Sequence, residues 1–157
     1  MIIGLAIAFL LIALLIGLIF KSVKMALLSI IPNVIPLAII GGIMGFLGTT
    51  INMSSSIIFT IAFGIAVDDT IHFLSKFKIE SARGKSLIYS LKRTYISTGK
   101  AIILTTLILC GGFISLVFSD FKSTFLIGTY VGLILFVAVI TDLLLLPVLL
   151  LNIKRKK

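Results

Sequence analysis

The stretch Ser54-Ser-Ser-Ile-Ile-Phe-Thr-Ile-Ala-Phe-Gly-Ile-Ala-Val67, continued by Asp-Asp-Thr-Ile-His-Phe-Leu-Ser-Lys-Phe77, decides how this sequence is interpreted. It is long and apolar enough for a membrane-spanning helix, yet it contains two adjacent carboxylates, Asp68 and Asp69. On insertion scales, each aspartate near the middle of a bilayer costs about 2.5–3.5 kcal/mol. Intramembrane acids usually line an ion path or an aqueous cavity, so this pair is the first candidate functional site.

The composition of the whole chain supports a membrane location. Of its 157 residues, 60% are hydrophobic, and the mean hydropathy is +1.33. A soluble domain of this length needs far more polar surface to cover itself. Because the hydrophobic residues occur in long runs, we predict an all-α membrane protein. The lone cysteine, Cys110, gives no disulfide framework and is interpreted as an apolar packing residue.

The apolar runs predict five transmembrane helices, at about 20 apolar residues per span. Their predicted ranges are 2–20, 25–47, 52–77, 101–118 and 124–151. Between the third and fourth spans, Leu87, Ile88, Leu91 and Tyr95 recur at helical spacing, while basic residues take the other faces. This periodicity predicts a cytoplasmic interfacial amphipathic helix over about 80–97. A solvated connector with accidental periodicity is the alternative.

The distribution of the net charge of +9 predicts the topology. When the loops are assigned alternately to two sides, 13 of the 14 lysines and arginines fall on one side, and only Lys122 falls on the other. The positive-inside rule makes the richer side cytoplasmic, which places the C-terminus inside and the N-terminus outside. The basic residues flank apolar spans and form no basic-aromatic surface, so we expect no nucleic-acid partner.

The start of the chain suggests a fragment. Met1 leads directly into a span, without the basic region or the small-residue cleavage site of a signal peptide. We therefore expect that a further span, and an external domain, belong upstream of it.

His72 extends the carboxylate pair along one helical stripe. It lies four residues after Asp68 and three after Asp69, which places it one turn below both. Lys76 continues this stripe towards the cytoplasm, so the order of the residues suggests a protonatable path to the inner surface. Two like charges in a low dielectric do not both ionise comfortably, so one carboxyl should be protonated or a cation should pair with them. Proton-driven transport needs a group that changes its protonation at modest cost within reach of water from one side.

Three other interpretations of this pair stay open at the level of sequence. Asp-Asp-x-x-His could ligate a metal, but adjacent acids are poor joint ligands and no second cluster exists, so we expect neither metal nor cofactor. The aspartates could instead cap a shorter helix that ends near Val67. His72 by itself is more often a packing or interfacial residue than a relay member.

Three polar residues on the later spans are candidate supporting residues. Asp142 lies in the fifth span, and a structural role near the cytoplasmic mouth is the favoured interpretation. An intramembrane aspartyl protease would also use two aspartates on two helices, but its Gly-x-Gly-Asp pattern is not matched by Gly64-Ile-Ala-Val-Asp68, and we expect no enzyme. Thr105 and Thr106 are placed to bond to the carboxylates if the helices pack, although threonine bonds more commonly to its own helix backbone.

The segment Gly64-Ile-Ala-Val-Asp-Asp-Thr-Ile-His-Phe-Leu-Ser-Lys-Phe77 resembles the fourth-span motif of the resistance-nodulation-division (RND) superfamily, close to its MMPL, hydrophobe-exporter and Patched-like branches. Similar matches are Ile31-Pro-Asn-Val-Ile-Pro36, Thr98-Gly-Lys-Ala-Ile102 and Asp142-Leu-Leu-Leu-Leu-Pro147. The resemblance covers essentially the whole chain. The accessory proteins of the Sec translocon in the same superfamily typically lack the second acid and the Thr-Ile-His run, so the chain resembles the exporters more.

The resemblance implies a function as well as a fold. Family members have two halves of six spans, each half with a large external domain, and this chain matches spans two to six of one half. Asp68 and Asp69 match the family's proton-relay acids, so the resemblance implies export of lipids or other hydrophobic molecules, driven by protons, in the inner membrane of a bacterium. The expected partners are membrane lipids, the hydrophobic substrate, and the missing half or further copies. A sterol-sensing-domain-like lipid-binding module is the alternative.

Overall fold

Apolar segments in a membrane satisfy their backbone hydrogen bonds within helices. The computed structural model describes residues 2–21, 23–49 and 53–155, and almost all of them are helical. The α-helices in chain order are α1 (Ile2–Phe20), α2 (Val23–Phe46), α3 (Met53–Ala82), α4 (Leu87–Thr94), α5 (Lys100–Ser115) and α6 (Lys122–Arg155). A π-helical turn, Tyr95–Gly99, joins α4 to α5, and a 3-10 turn, Leu116–Phe118, follows α5. The all-α prediction is confirmed.

Among the residues that the structure describes, four helical segments are long and apolar enough to cross a membrane. They are Leu27–Phe46, Ser54–Ala82, Leu87–Phe118 and Lys122–Asn152. In α1, the apolar stretch that the structure describes, Ala6–Leu18, is shorter. The multi-pass character follows from these lengths and compositions, while the count of five spans and the orientation of the termini stay predictions.

The helix predicted over about 80–97 is present over a shorter range, as α4 (Leu87–Thr94), and only its predicted bounds were wrong. α3 continues to Ala82, and Gly84, at a φ of 72°, turns the chain. A new helix begins at Leu87, where the Ser86 hydroxyl accepts the Tyr89 N–H at 3.4 Å. From there the backbone stays helical through the π-helical turn into α5, so residues 87–97 begin the same segment as the predicted fourth span. Their position at the membrane surface stays a prediction.

The turn between α2 and α3 shows why α2 ends where it does. Gly48 adopts a φ of 66°, and its N–H donates to the Gly45 carbonyl at 3.1 Å. The Thr49 N–H donates to the Met44 carbonyl at 2.9 Å, which completes a Schellman motif and satisfies the last carbonyls of the helix. Thr49 also bonds through its hydroxyl to the Tyr130 hydroxyl at 3.2 Å, which ties this end of α2 to α6.

The interior contains two apolar clusters at different levels of the bundle. The first is formed by Leu37, Ile40, Met44, Ile58, Ala62, Phe63, Val67, Tyr130, Val131, Ile134 and Leu135. The second is formed by Phe73, Leu74, Phe77, Leu91, Ile102, Leu146 and Leu150. Along α3, the residues between the two clusters are 68–72, and along α6 they are 136–145. Asp68, Asp69, Thr70 and His72 of α3, and Thr141 and Asp142 of α6, therefore lie between two apolar layers.

The α4–α5 segment is the least buried of the four long segments. Only 11% of the apolar window of Leu87–Phe118 is buried, against 50% for the window of α3. Large apolar side chains of α5, including Leu104, Leu107 and Ile108, are exposed. Most of α5 is therefore available to lipid or to another membrane-embedded unit.

Candidate functional site

Asp68 and His72 lie on the outward face of α3, near the middle of the helix. The His72 Nε2 and Asp68 Oδ1 atoms are 3.5 Å apart, and both side chains are 69% exposed. This contact follows from helical geometry, because residues four apart lie on one face. α3 runs without interruption from Met53 to Ala82, so the alternative in which the aspartates cap a helix ending near Val67 was wrong.

A groove of about 870 Å³ separates this face of α3 from the α4–α5 segment. Its polar lining consists of Asp68, Asp69, His72, Ser75, Lys76, Ser97, Thr98 and Thr105. Its apolar lining consists of Ile65, Ile79, Ala101, Ile102 and Leu109, with Gly64 adding no side chain. The groove brings the sequence-predicted pair, His72 and Thr105 together on one surface.

Asp69 lies between the exposed face of α3 and the interior. It is partly buried and lines the groove beside Asp68. Among the residues that the structure describes, no hydrogen bond or ion pair to Asp69 is found. Asp69 is therefore within reach of water that enters the groove.

Lys76 lines the same groove, but its ammonium group pairs with Glu80. Its Nζ lies 3.2 Å from Glu80 Oε1, and Arg83 Nη1 lies 3.2 Å from the other oxygen of that carboxylate. Glu80 is almost fully buried, so both cations neutralise it near the end of α3. The predicted stripe of aspartate, histidine and lysine therefore divides into two contacts, Asp68 with His72 and Lys76 with Glu80.

Asp142 is placed in the interior, away from the groove lining. It is 1% exposed, and its Oδ1 accepts a hydrogen bond from the Thr70 hydroxyl at 2.8 Å. The same hydroxyl accepts from Asn33 Nδ2 at 3.0 Å, and that nitrogen also donates to the Ser29 carbonyl at 2.6 Å. This buried network joins α2, α3 and α6 at the level between the two apolar clusters, which adds detail to the predicted structural role of Asp142.

The two threonines of α5 differ from one another. The Thr105 hydroxyl donates to its own helix, to the carbonyls of Ala101 and Ile102 at 3.0 Å each, as threonines in helices commonly do. Thr106, in contrast, is buried. Within the described ranges, neither threonine bonds to Asp68 or Asp69.

Sequence reasoning missed Asn33 and Thr70 as site residues. Asn33 was noted only as part of the Pro-Asn-Val-Ile-Pro motif, and Thr70 only as part of the motif around the acids. A signal did exist, because a buried polar side chain in an apolar span needs a hydrogen-bonding partner on a neighbouring helix. Their pairing could not be derived, since it depends on how α2, α3 and α6 pack together.

Carboxyl groups lie on both the groove side and the interior side of α3. In the ranges that the structure describes, no group of three or more His, Cys, Asp or Glu side chains is placed to hold a metal ion. The groove side offers the two carboxyls of Asp68 and Asp69 and the imidazole of His72. The interior side offers a third carboxyl, that of Asp142, which bonds to Thr70, the residue that follows Asp69 in α3.

Comparisons with known proteins give one family and one relative. A family model described as the MMPL family matches residues 1–157. A protein of Methanocaldococcus jannaschii whose name describes it only as a membrane protein is 27% identical over 130 residues. The match covers 83% of this chain and 34% of the relative, so the chain spans about a third of that protein's length. No solved structure matches the chain.

Proposed function

The chain belongs to the MMPL family, as the motif resemblance predicted, and on that premise we propose that it is the transmembrane part of a proton-motive-force-driven exporter of lipids or other hydrophobic molecules. The observation that carries the proposal is that Asp68, Asp69 and His72 share one groove in the middle of a long apolar helix. Membrane-embedded acids of this kind mark proton relays and ion pathways. The proposed activity is transport, with no chemical conversion of the substrate.

The exposed Asp68 side chain supports a second membrane-embedded unit as the partner. A carboxylate that faces lipid in the bilayer core costs several kcal/mol, so the groove needs protein or water over it. The adjoining face of α5 is apolar and uncovered, as a helix–helix contact requires. We therefore propose that the other half of the transporter, or a further copy of this chain, packs over α3 and α5. The cytoplasmic membrane of a bacterium remains the proposed location.

The test of coupling is transport in proteoliposomes that contain the complete transporter. An imposed proton gradient should drive movement of a fluorescent phospholipid, and proton influx should be detected by an entrapped pH dye. Asp68→Asn and Asp69→Asn are each expected to reduce both signals to the level of empty vesicles. Asp120→Asn is a matched control, because Asp120 is an exposed carboxylate in the short connection before α6. Undiminished transport in both groove variants would refute proton coupling at this site.

A second candidate function is supported by the size and lining of the groove. A lateral opening of about 870 Å³, polar in one part and apolar in the other, has room for an amphiphilic lipid. A lipid-binding regulatory module of the sterol-sensing type would use that groove without transport. Such a module should bind a photoactivatable sterol equally well in Asp68→Asn and wild type, and it should show no proton influx in either.

A further inference from the structure

Two buried oxygen atoms in the network between α2, α3 and α6 have no hydrogen-bond donor. They are Asp142 Oδ2 and Asn33 Oδ1, and each belongs to a group whose other polar atom bonds to the Thr70 hydroxyl. Most buried polar atoms in proteins have a partner, so a pair of donorless oxygens in one network needs an explanation.

We infer that Asp142 is the buried proton-binding residue of the transporter, protonated on Oδ2 in this conformation, and that Thr70 is the residue that positions its carboxyl. Binding is a simple addition: a proton joins the carboxylate to give the neutral acid, no other bond changes, and release reverses the step. The inference rests on the proposed proton coupling, and it moves the proton-holding site from the groove into the core.

The surroundings of Asp142 favour the neutral acid. The side chain is 1% exposed and lies between two apolar clusters, where an uncompensated carboxylate costs several kcal/mol. No cation compensates it in the described part of the chain. Residues 27–46 of α2 include no charged residue, and Lys92, Arg93 and Lys100 of α4 and α5 are exposed. From α3, Asp69 and His72 lie on the groove side, and the residue that contacts Asp142 is the uncharged Thr70.

The hydrogen-bond directions agree with a proton on Oδ2. Asn33 Nδ2 donates to Thr70, and Thr70 donates to Asp142 Oδ1, so this oxygen is already an acceptor. A proton on Oδ2 makes this second oxygen a hydrogen-bond donor, while Oδ1 stays an acceptor. Asn33 Oδ1 is the acceptor in the same network that is left without a donor.

The position of Thr70 links this buried acid to the groove. It follows Asp69 directly in the chain, and successive helix residues point about 100° apart. α3 therefore presents Asp69 to the groove and Thr70 to the core at the same level of the bundle. A proton that enters through the groove meets Asp69 first, and Thr70, the next residue in the chain, bonds to Asp142 on the interior side.

The test is infrared spectroscopy of the purified full chain in lipid, because the carbonyl stretch of a protonated carboxyl is separate from carboxylate bands and shifts in D2O. Wild type is expected to show such a band near neutral pH. Asp142→Asn should remove it, while Asp120→Asn, the exposed control, should keep it. If the wild-type band is missing, or persists in Asp142→Asn, the inference is wrong.

Variants of Thr70 keep the test decisive if Asp142→Asn does not fold. Thr70→Val removes the hydroxyl that bonds to Asp142 Oδ1 and should shift the band to higher frequency, whereas Thr70→Ser keeps the hydroxyl and should restore it. A band that ignores both changes belongs to another carboxyl and overturns the inference. A band that disappears on adding sodium at constant pH identifies a cation site, which also overturns it.

The transport assay separates this inference from the proposed function. If Asp68→Asn and Asp69→Asn retain energised export, proton coupling itself fails, whatever the infrared band shows. If Asp142→Asn loses the band but retains energised export, coupling stands and the role of Asp142 in it is refuted. Loss of both the band and the proton influx in Asp142→Asn is the result that we expect.

Discussion

Asp68 and Thr70 are two residues apart on α3, but they face opposite environments. Asp68 is 69% exposed and contacts His72, whereas Thr70 is fully buried and bonds to both α2 and α6. One face of the helix is therefore exposed, and the other is built into the bundle. A motif of adjacent polar residues thus divides between two environments, because each step along a helix turns the side chain by about 100°.

The largest change in stability is expected when the buried face is altered. Thr70→Val keeps the shape of the side chain nearly unchanged but removes the hydroxyl, which leaves Asp142 Oδ1 without its donor. The expected cost is about 1–3 kcal/mol in the free energy of unfolding. Reversible unfolding in mixed detergent micelles measures it. The matched control is Thr60→Val, since Thr60 is exposed and its hydroxyl bonds to the Ser56 carbonyl of its own helix. Equal effects of the two changes would contradict a special role of the buried network.

The next largest effect on stability is expected at the contact between α6 and the end of α5, the helix that forms the far wall of the groove. A Cβ on Gly128 of α6 would lie 2.6 Å from the Phe113 carbonyl oxygen and 2.8 Å from Leu116 Cβ. Gly128→Ala should therefore overpack this contact by about 1–3 kcal/mol, partly offset by about 1 kcal/mol of helix propensity.

Gly132 gives the control for this second change. It lies one turn further along α6, and an added Cβ there meets nothing within 4 Å, so Gly132→Ala should be neutral or slightly stabilising. Because Gly128→Ala displaces the groove wall without touching an acid, it should also reduce transport in proteoliposomes. Normal transport at lowered stability would show that the groove tolerates movement of α5.

For a change on the exposed face of α3, we expect only a small effect on stability, although transport should be lost. Asp68→Asn should change the free energy of unfolding by less than about 0.5 kcal/mol, because an exposed side chain contributes little to the folded state. The same denaturation experiment measures it beside Thr70→Val. A loss as large as that of the buried variant would show that Asp68 is structural, and the contrast between the two faces would fail.

The smallest effect is expected for His72→Gln. Its contact with Asp68 is 3.5 Å long and highly exposed, and exposed ion pairs of this kind contribute about 0–1 kcal/mol. Unfolding should be unchanged within error. If His72 takes part in proton transfer, the pH profile of proton influx should move while the maximal rate persists at its new optimum. An unaltered profile would leave His72 as an interfacial residue only.

Much of the fold could be predicted from the sequence, and the failures have a physical cause. Long apolar runs make helices unavoidable in a membrane, so the ranges of α1, α2, α5 and α6 were close to those observed. The end of α3 and the start of the next helix were wrong, because Lys78 to Lys100 looked like a polar interruption. The backbone nevertheless remains helical from Leu87, since a capped start at Ser86 and a π-helical turn carry it into α5.

The candidate site was predictable in part for the same reason. Asp68, Asp69 and His72 were singled out because charge in an apolar span is costly and rarely retained without use. The grouping of Asn33, Thr70 and Asp142 was not predictable, because these residues are 37 and 72 positions apart in the chain. Only the packing of three helices brings their side chains within hydrogen-bonding distance.

The sequence by itself determined that this protein is a helical membrane protein of the MMPL family with an acidic motif in one apolar helix. Those properties depend on composition, on runs of about 20 apolar residues and on short-range helical geometry, all of which are local. The tertiary structure alone decided which acid faces the groove, which is buried, and that Lys76 pairs with Glu80. The physical reason is that burial and pairing depend on which helix faces pack together, and no local pattern specifies that choice.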